Sequence, residues 1–143
     1  MMTEDFCSYE VSKLFREKGF SEKCVACYDW IDNSLRTIYH DTTGEVEPQD
    51  WNNLTFEEAG KIGLANWYRN ISAPTHQMAM KWLREKHNLF IWISLRRPNM
   101  GLPYCYELHS ISTGEVIHIG GFNFGSYEQA VEAALKYCLT KLI

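Results

Sequence analysis

Apolar residues recur along this chain with two different periods, and the switches between them mark out its elements. Val11, Leu14 and Phe15 fall on one helical face, and Gly19 follows where a helix would end in left-handed backbone. Phe20 then stands where a hydrophobic contact closes such an ending. A second stripe, Ala79, Trp82 and Leu83, has Pro74 near its start, where a missing N–H costs little. Asn88, which tolerates left-handed backbone, marks its stop. After each stripe the period drops to two. Lys23–Trp30 and Leu35–His40 flank the turn Asp32-Asn33-Ser34, while Leu89–Leu95 and Tyr104–His109 flank Pro98-Asn99-Met100-Gly101. In both halves a Thr-Gly turn leads to a short third strand. A capping box, Thr55 with Glu58 and Ser126 with Gln129, then opens a closing helix. Gly60 and Gly63 weaken the first of these helices by about 1 kcal/mol each relative to alanine.

The two halves also resemble each other in sequence. Lys13-Leu14-Phe15-Arg16-Glu17-Lys18 matches Lys81-Trp82-Leu83-Arg84-Glu85-Lys86, and Thr43-Gly44-Glu45-Val46 recurs as Thr113-Gly114-Glu115-Val116. Thr55-Phe56-Glu57-Glu58-Ala59 is echoed by Ser126-Tyr127-Glu128-Gln129-Ala130, in the same order and with nearly the same spacing. Fixed-period similarity of this kind points to duplication. The expected fold is therefore α+β: two tandem α-β-β-β-α repeats, residues 1–71 and 72–143, packed as one domain. In the second repeat Leu89, Ile91, Ile93 and Leu95 point one way and Phe90 and Trp92 the other. A strand apolar on both sides is expected to be buried on both, under the other repeat or a second chain.

Composition changes this picture little. Hydrophobic residues make up 45% and charged residues 22% of 143 residues, enough apolar material to offset chain entropy. The formal charge of −4 does not advertise a phosphate-binding protein. The acidic start lacks the apolar run of a signal peptide, and no stretch approaches the ~20 apolar residues of a membrane span. Five irregularly spaced cysteines then read as reduced thiols in a cytoplasm.

The order α-β-β-β-α resembles the double-stranded-RNA-binding domain at the level of topology. That family grips phosphate with lysines at the start of its last helix. Here Glu57-Glu58 and Glu128-Gln129 stand there, so none of the family's RNA-binding residues carries over. A closer resemblance rests on three runs: Val11 to Phe20; Ala73-Pro74-Thr75 with Lys81 to His87; and Tyr127-Glu128-Gln129-Ala130 through Leu142-Ile143. Together they are similar to a group of short hypothetical proteins of gut anaerobic bacteria, often associated with phage or mobile elements. That resemblance implies an accessory role and no particular chemistry.

Candidate chemistry is sparse. Cys24-Val25-Ala26-Cys27 lacks the second pair that a zinc site needs, and on a strand its two thiols face opposite ways, so packed core cysteines are expected. If Thr113-Gly114 is a two-residue turn, His109 and His118 face each other across the hairpin with Glu107 beside them. Such a pair could hold a metal or sense pH, or simply lie on a solvated face. The loop Gly120-Gly121-Phe122-Asn123-Phe124-Gly125 precedes a helix but has no lysine, which favours packing over anion binding. Lys81, Arg84, Arg96 and Arg97, near Trp92, Tyr104 and Tyr106, form the candidate nucleic-acid surface. No nucleophile elbow, P-loop, zincin helix or dinucleotide fingerprint occurs, and no cofactor is implied. The expected function is a non-enzymatic accessory protein that binds protein, either itself or another. Nucleic-acid binding is the alternative, and a small enzyme without a recognisable motif comes third.

Overall fold

The computed structural model describes residues 5–37, 47–96 and 101–143. It is an α+β protein, with two three-stranded antiparallel sheets and four α-helices among the described residues. Its described residues fall into two units, Phe6–Pro74 and Thr75–Ile143, the latter including Asp5.

In the first unit, α1 (Tyr9–Glu17) starts at Ser8, whose hydroxyl accepts from the Val11 N–H at 3.2 Å. It stops as the glycine predicts. Gly19 has φ +86°, its N–H donates to the Arg16 carbonyl and that of Phe20 to the Phe15 carbonyl. The Phe15 and Phe20 rings meet edge to face at 5.4 Å, which closes a Schellman ending with its hydrophobic contact. Strand β1 (Ala26–Tyr28) is buried along its length and lies between β2 (Leu35–Thr37) and β3 (Ile71–Ser72). It is shorter than the periodicity suggests because the chain turns at Asp29, whose carboxylate accepts from the Ile31 N–H and pairs with Arg36 at 2.8 Å.

The third strand of this sheet departs from the expected order. The Thr43-Gly44 turn lies outside the described residues, and beyond it Gln49 makes only an isolated bridge to Cys24. The partner on the free side of β1 arrives later, after α2 (Phe56–Lys61) and a 3-10 turn at Ala65–Trp67. Gly63 is not an interior weakness of α2. It has φ +78°, and Leu64 N–H reaches back to the Ala59 carbonyl, a second Schellman ending. Trp51 fills the core beneath, fully buried, with its indole N–H on the Cys24 carbonyl at 3.0 Å.

The second unit runs in the expected order: α3 (His76–His87), β4 (Leu89–Leu95), β5 (Tyr104–Ser110), β6 (Val116–Ile119) and α4 (Tyr127–Tyr137). Thr75 and Ser126 cap the helices by accepting from Met78 and Gln129 N–H. A part-buried contact between His76 Nε2 and Glu132 Oε1, 3.0 Å, joins α3 to α4. One sheet face packs on these helices through Leu89, Ile91 and Leu108, all less than a tenth exposed. Tyr106, on the same face, is also buried. Gly120 lies flat against its ring, so a Cβ there would overlap the aromatic carbons.

Asn88 sets the geometry of the sheet. It ends α3 with φ 58°, and its carbonyl accepts from the Ile111 N–H. Its side-chain oxygen accepts from the Ser112 N–H at 3.0 Å and its Nδ2 donates to the Ser112 hydroxyl at 2.9 Å. These contacts draw residues 111–114 into a loop. Ser110, rather than Ser112, therefore pairs with Glu115, and a bulge follows between Leu108 and His109.

Asn88→Gly should lower stability in urea by about 1 kcal/mol through loss of the side-chain contacts. Asn88→Ala should cost about 1 kcal/mol more, because alanine resists left-handed backbone. Equal losses would mean that the conformation at residue 88 is unimportant. Gly120→Ala should cost about 1–3 kcal/mol by overpacking Tyr106, seen as a lower urea midpoint at unchanged slope.

Candidate functional site

The face of the second sheet turned away from its helices carries an apolar, aromatic surface. It follows from strand alternation: Phe90 and Trp92 on β4 point opposite to Leu89 and Ile91. Across the sheet they form two rows. Phe90 is level with His109 and Val116, and Trp92 is level with Glu107 and Ile119. Each row thus reads aromatic, polar, aliphatic. Trp92 is 55% exposed and Ile119 56%, so within one chain this side of β4 is open, and a second chain is the cover that the expectation leaves. In the middle, His109 Nε2 lies 3.2 Å from Glu107 Oε2, and the Trp92 ring sits 6.4 Å from that imidazole. None of these residues is Lys or Arg.

The structure does not bring His109 and His118 together. The bulge pairs His109 with Val116 and places His118 opposite Leu108, on the helix side. There the His118 ring stacks on Tyr137 of α4 at 3.8 Å, within 3° of parallel. The imidazoles point to opposite faces, so the two-histidine metal pair is corrected. Sequence alone could not reveal this, because it depends on the loop that Asn88 holds.

The candidate nucleic-acid residues lie apart in their roles. Lys81 and Arg84 are on the exposed side of α3, with Lys81 3.9 Å from Glu85. Arg96 follows β4 and is already engaged: its guanidinium lies 4.4 Å from the centre of the Phe122 ring, and its Nε donates to the Leu102 carbonyl at 3.3 Å. Arg97 lies outside the described residues. Of the aromatics expected beside them, Tyr106 is buried and Tyr104 is half-buried, which leaves Trp92 exposed on the other face. The Gly120–Gly125 loop is packed, with Phe124 bridged to Tyr104 and its ring 5.8 Å from Tyr106.

All five cysteines are buried. Burial pushes the thiols of Cys24 and Cys138 up to about 12 and that of Cys27 up to about 11 from an ordinary value of 9.0. Such thiols stay neutral and make poor nucleophiles and poor metal ligands. Cys27 Sγ accepts from the Asn70 amide at 3.4 Å, which suits a packed core group.

Comparison of the chain with protein-family models, with curated proteins and with solved structures gives no match. Among the described residues no helix is long and apolar enough to cross a membrane.

Because the folded pKa values of these thiols are raised, their contribution to stability is complete below pH 9 and is lost as pH climbs towards about 12. Urea midpoints should therefore fall across that window, and a variant with Cys24 and Cys138 as Ala should lose less over it. Native protein at pH 8 should leave Ellman's reagent unreacted until denaturant is added. Rapid native labelling would contradict the burial.

Proposed function

We propose that this chain is a non-enzymatic interaction protein, and that the open face of its second sheet docks a second copy of itself. The observation that carries the reading is the pair of rows. A two-fold axis running across the strands, midway between the rows, lays each row on the other. Phe90 of one copy then meets Trp92 of the second, His109 meets Glu107, and Val116 meets Ile119. An isologous interface requires this kind of self-complementarity. The apolar flanks supply the burial, and the central pair supplies register. Two rows in which no residue is lysine or arginine, with Glu107 at their centre, suit protein better than phosphate. The resemblance to phage-associated and mobile-element proteins supports an accessory role of this kind. Nucleic-acid binding through Lys81, Arg84, Arg96 and Arg97 draws less support, since Lys81 and Arg84 lie on α3, on the opposite side of the sheet from the exposed Trp92, and Lys81 is 3.9 Å from Glu85.

Sedimentation velocity over a wide concentration series should show a monomer–dimer equilibrium in the micromolar range. Trp92→Glu should abolish it. Glu107→His or His109→Glu alone should weaken it by about tenfold or more, and the two combined should restore most of it, because the pairing is then inverted. A chain that stays monomeric to about 1 mM, or a double variant no better than the singles, would overturn the proposal.

A further inference from the structure

The first unit contains an open surface cleft of about 430 Å³ whose lining has a different chemistry. Tyr9, Lys13 and Arg16 line it from one side of α1, Trp30 from the loop after β1, Arg69 from the loop before β3, and Ile71 from its floor. Asn33 and the carboxylate of Glu17 complete the lining, so three of its eight residues are cations against one acid. Among the described residues none of the three cations has an acid partner within 4.0 Å. In a chain of net charge −4 this is a local excess of positive charge, and its mutual repulsion would be relieved by an anion.

The aromatic wall is held in place rather than left to drift. The Trp30 indole N–H donates to the Asn66 carbonyl at 2.9 Å, and the Trp30 backbone N–H donates to the buried Asn70 side chain at 3.2 Å. The Arg69 guanidinium lies 5.0 Å from the centre of the indole ring and also donates to the Tyr68 hydroxyl at 2.7 Å. The Tyr9 ring is fixed edge to face on Tyr28 at 5.6 Å. A planar guanidinium on an indole, beside two further cations and over an apolar floor, offers stacking and charge together. The chemistry that uses both is a planar ring carrying a phosphate.

We propose that this cleft binds a nucleoside phosphate, with the phosphate held by Lys13, Arg16 and Arg69 and the base against Trp30 and Tyr9. A free mononucleotide and the 5′-phosphorylated end of a strand present the same chemistry.

Isothermal titration of the full chain tests this with AMP, adenosine, inorganic phosphate and a 5′-phosphorylated tetranucleotide. Saturable binding of AMP or the tetranucleotide is expected, at least about tenfold tighter than adenosine or phosphate alone. The tighter of the two identifies the source. Lys13→Ala and Arg16→Ala, both exposed and so not expected to perturb folding, should each weaken it by about fivefold to tenfold. Glu17→Gln, which removes the opposing charge, should tighten it. No saturable binding of either nucleotide, phosphate bound as tightly as AMP, or affinity indifferent to all three substitutions would overturn the proposal.

Discussion

Asn88 ends α3 in left-handed backbone and from there reaches the β5–β6 loop through its own carbonyl and both ends of its amide. The rest of the second sheet depends on that grip. Residues 111–114 are gathered into a loop, the pairing of β6 shifts, and the bulge at Leu108 absorbs the difference. Side chains alternate with a period of two, so a one-residue shift exchanges the faces on which they lie. His118 is thereby turned towards α4 and stacked on Tyr137, while His109 stays outward beside Glu107. A helix cap, ordinarily a local device, here decides what chemistry a distant sheet face presents.

Local signals in the sequence were reliable where the physics is local. Gly19 and Asn88 stand at helix ends because left-handed backbone is needed there, and Thr55 and Ser126 cap helices because their hydroxyls meet an orphan N–H; Gly63, read as a weak interior position, proved to be a helix end of the same kind. β4 runs Leu89–Leu95, as its alternation indicates. What escaped was decided by contacts between residues distant in sequence. The loop held by Asn88 cannot be seen from Thr113-Gly114 alone. The partner of β1 comes from Ile71–Ser72, beyond a helix and a turn, and two residues are too short a run to announce a strand. Tyr106, read as a surface aromatic, is buried because Gly120 leaves room for its ring.

The overall charge concealed the most informative contrast in the molecule. A balance of −4 averages over a cleft in the first unit lined by three cations and two rows of residues on the second sheet, none of them lysine or arginine. Aromatic residues serve both, but with different company. Trp30 lies under a guanidinium, where its ring electrons face a cation. Trp92 stands beside an imidazole that is paired with a carboxylate, within an apolar surround. The same side chain thus stands beside cations in one unit and in an apolar surround in the other, and only its neighbours tell the two settings apart.

The burial of the cysteines has a consequence for how such sequences should be read. An odd, irregular set of thiols invites a conclusion about the redox state of the surroundings, because exposed thiols would otherwise pair or oxidise. Here all five thiols are sealed in, and burial holds those of Cys24, Cys27 and Cys138 protonated, so once the chain has folded they exchange slowly with any oxidant or reductant outside. They behave as small apolar side chains that happen to contain sulfur. Their number therefore records how the interior was filled and carries no message about the compartment in which the protein works.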